Sequence, residues 1–159
     1  MSTADAPVPV APQLAGVAPE ILIIAARYYR NVVDGMLAAA QQVLTQIDAK
    51  VSVIDVAGAY ELPQALAIAL KSGRRFDGFV VLGCVVRGET DHYEFICSAA
   101  MDGLMRVATD HAACLGTALL TVDTLAQAMA RSQETGANKG AEAAVACLKQ
   151  IAMARELAA

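Results

Sequence analysis

Apolar and polar positions along this chain switch between two rhythms. Ile21-Leu22-Ile23-Ile24-Ala25-Ala26 is an unbroken apolar run of strand length, and Val33, Met36, Leu37, Ala40, Leu44 and Ile47 follow at helical spacing. Val51 to Val56 reads as a second strand. An Ala- and Leu-rich helix then runs to about Leu70, with Pro63 suited to its first turn. The third strand begins near Asp77 and holds Phe79-Val80-Val81-Leu82-Gly83-Cys84-Val85-Val86; Tyr93, Ile96, Cys97, Ala100, Leu104 and Val107 then mark a helix. Cys114 to Thr121 is a fourth strand, and Asp123-Thr124 opens a short helix reaching Arg131. Ser132 to Ala137 is a loop. Asn138 caps a last helix with Ala141, Ala144, Val145, Leu148 and Ile151 on one face.

Strands alternating with helices imply parallel pairing through right-handed crossovers. The expected fold is α/β: a three-layer α/β/α domain of flavodoxin-like type around a central four-stranded parallel sheet, spanning 20–159. Residues 1–19 hold Pro7, Pro9, Pro12 and Pro19 of the five prolines, which predicts a flexible or extended arm. The arm has no basic start and no apolar core, so it does not read as a secretory signal.

Composition sharpens this. Of the 159 residues 57% are hydrophobic and 18% charged, more apolar surface than one chain readily hides, so self-association is expected. Mean hydropathy is +0.47. No apolar run reaches the ~18 residues of a membrane span, and a net charge of -4 argues against nucleic acid. Cys84, Cys97, Cys114 and Cys147 sit in apolar patterns without a CxxC pair, which suits buried thiols in a reducing, cytoplasmic setting. His92 and His111 are too few for a zinc site, and the H-x-E run from His92 lacks the P-C-x-x-C half of a zinc deaminase. GxGxxG and the P-loop are both missing.

The chemistry-bearing residues gather after strands. Arg87-Gly88-Glu89-Thr90-Asp91-His92 joins the third strand to its helix. Thr90 or Asp91 is the expected N-cap, with Glu94 completing a capping box. A helix start offers free N–H groups that suit a phosphate, and a neutral imidazole there can take a proton. Taken alone, this local pattern favours simple capping with a solvated first-turn histidine. In the expected fold the loops 27–31, 57–62, 84–92 and 121–124 share one sheet edge, where ligands bind. Tyr28 can offer a flat face to a heterocycle or simply pack. Glu61 can accept from sugar hydroxyls or favour a helix start. Lys139 opposes the dipole of the last helix unless Glu142 compensates, whereas Arg131 suits a helix end and can equally clamp a phosphate.

Arg27-Tyr28, Gly58-Ala59-Tyr60-Glu61-Leu62-Pro63, Leu82 through Tyr93, Leu120-Thr121 and Asn138-Lys139-Gly140 occur in the order of one family. From about Ile21 to Leu157 the chain resembles 6,7-dimethyl-8-ribityllumazine synthases. That resemblance implies a transferase of the penultimate step of riboflavin synthesis, without metal or cofactor. It condenses 5-amino-6-(D-ribitylamino)uracil with 3,4-dihydroxy-2-butanone 4-phosphate. By the same resemblance His92 moves protons, Tyr28 stacks on the pyrimidine, and Ala59, Tyr60 and Glu61 hold the ribityl chain and ring. Cys84, Val85 and Val86 line the pyrimidine pocket with backbone groups, Glu89 and Thr90 supply N–H groups to the phosphate, Arg131 neutralises it, and Lys139 lines the same pocket. Thr117 stands where the family commonly has Phe from an adjacent subunit, and Tyr29 where Asn is common. The family assembles as pentamers, some of them further into shells. A non-catalytic lumazine or flavin binder, a shell-forming scaffold, and an unrelated phosphosugar enzyme are the competing readings.

Overall fold

The computed structural model describes residues 8–133 and 137–159. The first residues of the arm and the middle of the Ser132–Ala137 loop therefore lie outside the described residues. The strands are β1 (Glu20–Ala26), β2 (Lys50–Val56), β3 (Gly78–Val86) and β4 (Leu115–Val122). The helices are α1 (Arg30–Thr45), α2 (Glu61–Lys71), α3 (His92–Asp110), α4 (Leu125–Met129) and α5 (Lys139–Leu157), with one 3-10 turn at Arg27–Tyr29. All pairings are parallel, in the order β2-β1-β3-β4. The expected three-layer α/β domain is what forms, with strand bounds displaced by a residue at most beside the pattern-based ones.

Residue parity builds two cores. Ile21, Ile23, Val80, Leu82, Ala118 and Leu120 point to the side that α1 and α5 cover. Leu22, Ile24, Phe79, Val81, Leu115 and Leu119 point to α2 and α3. β1 and β3 are buried on both faces, which is why each reads as a continuous apolar run. β2 is an edge strand, and Val53 and Ile54 stay 37% and 38% exposed. Among the described residues no helix is long and apolar enough to cross a membrane.

The α1–α5 layer closes on backbone rather than side chains. A Cβ on Gly140 would strike the Met36 carbonyl, and one on Gly116 the Ala143 carbonyl. Asn138 stands at this junction, nearly sealed from solvent. Its Oδ1 takes the Gly140 N–H at 2.8 Å, and its amide donates to the carbonyls of Gly35 and Gln133 at 3.2 and 3.0 Å. The expected cap thus also ties α5 to α1. Residues 8–19 form no strand and run along α5: Ala11 and Leu14 pack on the first core, and Arg155 donates to the carbonyls of Ala15 and Val17 at 2.7 and 3.0 Å.

α3 ends in a Schellman turn, with Ala113 N–H on the Ala108 carbonyl at 2.8 Å and Ala112 N–H on that of Thr109 at 3.3 Å. Ala112 holds φ +47 there, a left-handed conformation that glycine adopts without strain. Two glycine–alanine exchanges should therefore shift stability in opposite directions. Helix propensity alone would make Gly140→Ala stabilising by ~1 kcal/mol, yet the blocked Cβ should make it destabilising by about 1–3 kcal/mol or more. Ala112→Gly should stabilise by ~0.5–1 kcal/mol. Urea unfolding of both variants checks the pair.

Candidate active site

From β1 the chain steps outward to β2, then crosses back to β3 on the other side of β1 and on to β4. The direction reverses between β1 and β3, so a crevice opens at their carboxyl ends. A cleft of about 240 Å³ occupies it. Tyr28 and Tyr29 wall it from the end of β1, Gly58 and Ala59 from the loop after β2, Cys84, Val85 and Val86 from β3, and His92 and Ile96 from α3.

The register explains what β3 offers. Pairing with β1 stops at Ala25↔Leu82, while pairing with β4 continues to Val86↔Val122. Cys84, Val85 and Val86 thus run past β1 with one backbone edge toward the cleft. Such an edge can hydrogen-bond a flat heteroaromatic ring. Tyr28 is 77% exposed and meets Tyr29 edge-on at 5.2 Å. Tyr60 meets the His92 ring edge-on at 6.1 Å. Glu61 opens α2, and its carboxylate lies beside Gly58, where a Cβ would come to 3.3 Å from Oε2. Burial pushes the Cys84 thiol up to about 11, so it is a neutral wall and not a nucleophile.

His92 begins α3, as the sequence suggests, but the expected capping box does not form. Asp91 has helical backbone angles and its side chain takes no first-turn N–H. Glu94 turns instead to the Arg87 guanidinium, which also holds Asp123 at 3.0 Å and lies 4.1 Å over the Tyr93 ring. The hydrogen bond from Arg87 keeps the Glu94 carboxyl below its ordinary range, and the two carboxylates raise Arg87. Two charge-assisted bonds prevail over local capping. Among the described residues, no acceptor meets the N–H groups of His92 and Tyr93. Glu89 and Thr90 are exposed in the loop just before them. Sequence reasoning gave Arg87 no role, since the spacing Arg87–Glu94 crosses a loop and follows neither period.

Seven expected site residues are not part of this lining: Tyr60, Glu61, Glu89 and Thr90 sit on the loops and helix starts that carry lining residues, whereas Thr117, Arg131 and Lys139 lie on other segments. Thr117 pairs with Val81, four residues short of Val85 and so about 13 Å down the strand. It is exposed on the α2–α3 side of β4. Arg131 donates to the Gln127 carbonyl at 2.9 Å. Lys139 is held by Glu142 at 2.7 Å, the compensation the sequence suggested, and its N–H reaches the Arg131 carbonyl at 2.9 Å. Arg131 and Lys139 are therefore neighbours, but outside the lining of their own chain's cleft. A larger cavity of about 660 Å³ lies at the opposite, amino-terminal strand ends by Arg74, Arg75 and Phe76, remote from the imidazole.

Fold and crevice define a flavodoxin-like α/β protein with a cleft at its switch point and an imidazole in the lining. A family model described as 6,7-dimethyl-8-ribityllumazine synthase matches residues 18–155. Proteins with that name are similar over most of their length. One from Methylobacterium radiotolerans is 43% identical over 95% of this chain and 90% of its own. One from Methylorubrum populi is 38% identical over 96% and 91%, and one from Paramagnetospirillum magneticum 40% identical over 87% and 96%. The chain belongs to the 6,7-dimethyl-8-ribityllumazine synthase family.

The state of Cys84 gives a direct check. At pH 8 a thiol titrating near 11 is about 0.1% ionised, against roughly a quarter for a free cysteine. Iodoacetamide should label Cys84 over ~100-fold more slowly than free cysteine. Cys97 and Cys114, both half-buried, should react before Cys84 and Cys147 when labelling is followed by peptide mass spectrometry.

Proposed function

We propose that this chain condenses 5-amino-6-(D-ribitylamino)uracil with 3,4-dihydroxy-2-butanone 4-phosphate, giving 6,7-dimethyl-8-ribityllumazine, phosphate and water. The carrying observation is the imidazole of His92 at a switch-point cleft beside the stretch of β3 that runs past β1, in a chain of this family. Tyr28 stacks on the pyrimidine, and the backbone of Cys84, Val85 and Val86 reads its edge. Ala59, Tyr60 and Glu61 hold the ribityl chain. The open N–H groups around Glu89, Thr90 and the start of α3 receive the phosphate, a charge that a helix start favours.

The substrates account for how little the protein must supply. The pyrimidine brings its own amine, so imine formation with the ketone needs no lysine. Imine formation releases a first water. Loss of the C3 proton of the butanone then expels phosphate from C4, the enol left behind becomes a methyl ketone, and attack of the ribitylamino nitrogen on that carbonyl closes the ring and releases a second water. Each step moves protons, and His92 takes and returns them. Such a role is worth on the order of 10²–10⁴ in rate. Holding both reactants in place contributes comparably or more.

The working unit in this reading is a homo-oligomer built on pentamers, in the cytoplasm, where free thiols persist. Support comes from Ile68, Phe95 and Met105, exposed at 69%, 68% and 63%. It comes also from Thr117, Arg131 and Lys139, which stand ready for a neighbour's cleft rather than their own. Threonine at the position 117 contact would leave the pyrimidine one stacking face short.

Mixed with both substrates at neutral pH, the protein should form the lumazine chromophore far faster than the spontaneous background. Substrate binding without turnover would select the non-catalytic reading. His92→Asn should lower kcat by about 10²-fold or more while substrate affinity and mass by light scattering stay as in the parent. Full activity in that variant would end the proton-carrying role.

A further inference from the structure

Arg27 has no part in the chemistry above and does not line the cleft, yet it is tied to two other segments. It opens the 3-10 turn Arg27–Tyr29, which carries Tyr28 and Tyr29 to the cleft wall. Its Nε lies 3.0 Å from the Asp55 carboxylate on β2 and 3.4 Å from that of Asp34 on α1. Arg27 Nε and the Asp34 Oδ1 that faces it are both sealed from water, so this contact is screened less than a pair in open solvent. Asp55 stands at the end of β2, just before the loop that brings Gly58 and Ala59 to the cleft. Among the described residues, no side chain caps the start of the turn or of α1. The Tyr28 ring is exposed and meets the Tyr29 ring edge-on, so the backbone of the turn sets its direction.

We propose that Arg27 is a positioning residue: by pairing with Asp34 and Asp55 it holds the turn that presents the Tyr28 ring beside the loop of Gly58 and Ala59. This rests on the stacking role given to Tyr28 above and names the device that maintains it. A ring that swings free gives up its freedom at the moment of binding, whereas a ring on a fixed turn has already lost it. Asp34 reaches the cation from the helix after the turn and Asp55 from the strand beside β1, so the turn is held from two directions. The start of α3, where the phosphate is placed, shares none of these groups.

The test compares wild type with Arg27→Met, which keeps an apolar stem without the charge, and with Asp55→Ala, Tyr28→Ala and Arg27→Met/Tyr28→Ala. Calorimetry gives Kd for the ribitylaminouracil, and turnover gives KM for the butanone phosphate. Arg27→Met should weaken pyrimidine binding about fivefold or more and leave the KM of the butanone phosphate within about twofold. Asp55→Ala removes one of the two partners at a more exposed position, and should act in the same direction by about two- to threefold. It answers for the pair where Arg27→Met folds poorly. On the Tyr28→Ala background, Arg27→Met should cost less than about twofold more, because the ring it serves is gone. Unchanged pyrimidine affinity in Arg27→Met or Asp55→Ala, an equal loss for both substrates, or the same loss with and without the Tyr28 ring would overturn the proposal. The turn is also followed without substrate, by ¹⁹F NMR of protein carrying 3-fluorotyrosine, with the Tyr28 signal assigned from Tyr28→Ala. In Arg27→Met that signal should sharpen and move toward free fluorotyrosine; an unchanged signal overturns the positioning role. A wild type that binds neither substrate therefore removes only the synthase reading.

Discussion

The parallel pairing of β1 with β3 is the constraint from which the rest follows. Both strands are sealed on two faces beyond the exposed Glu20 that opens β1, so their buried positions are apolar throughout and polar chemistry has no place along them. Polar chemistry is displaced to the strand ends. Because the chain reverses direction between these two strands, the ends separate and leave a crevice. β3 outlasts its pairing with β1 at Leu82, which leaves one backbone edge of its last residues facing the cleft. The same register that completes the core therefore exposes the backbone of Cys84 to Val86.

A second constraint acts at the α1–α5 layer. Gly116 and Gly140 let β4, α5 and α1 approach until backbone meets backbone, and Asn138 stitches the seam with three acceptors and donors from different segments. That seam fixes the start of α5, hence Lys139 and the Arg131 carbonyl it binds. On the opposite side the start of α3 is fixed by Arg87, which spans from β3's loop to that of β4. The starts of α5 and α3 are thus anchored independently, one by close packing and one by ion pairs.

How much of this the sequence carried differs from residue to residue. Ile21 to Ala26 and Phe79 to Val86 announce buried strands, because burial on both faces leaves no other composition. Asn138 announces a cap, and Lys139 with Glu142 an i,i+3 pair, because those interactions close within one turn. Tyr28, Ala59, Cys84 to Val86 and His92 were foreseen at a shared edge, because a parallel sheet places every such loop at the same end. The capping box at Asp91 and Glu94 was read and did not form. Its local benefit was outweighed by Arg87, whose second anchor, Asp123, is 36 residues away and invisible to any short window. Ala112 in a left-handed turn also escapes a composition reading, since glycine is what such a turn ordinarily uses.

Thr117, Arg131 and Lys139 pose a different matter. The resemblance assigns all three to the site, yet none lines the cleft of its own chain. Thr117 is exposed on a strand face, Arg131 bonds the Gln127 carbonyl, and Lys139 is paired with Glu142. If a neighbouring copy brings its cleft to them, binding energy and assembly become one equilibrium: ligand in the shared site stabilises the contact, and the contact completes the site. The apolar residues that a single chain leaves in water, Ile68, Phe95 and Met105 among them, would supply the driving force for that contact. The high hydrophobic content and the half-furnished cleft then have one physical cause, a core and a site both divided between chains.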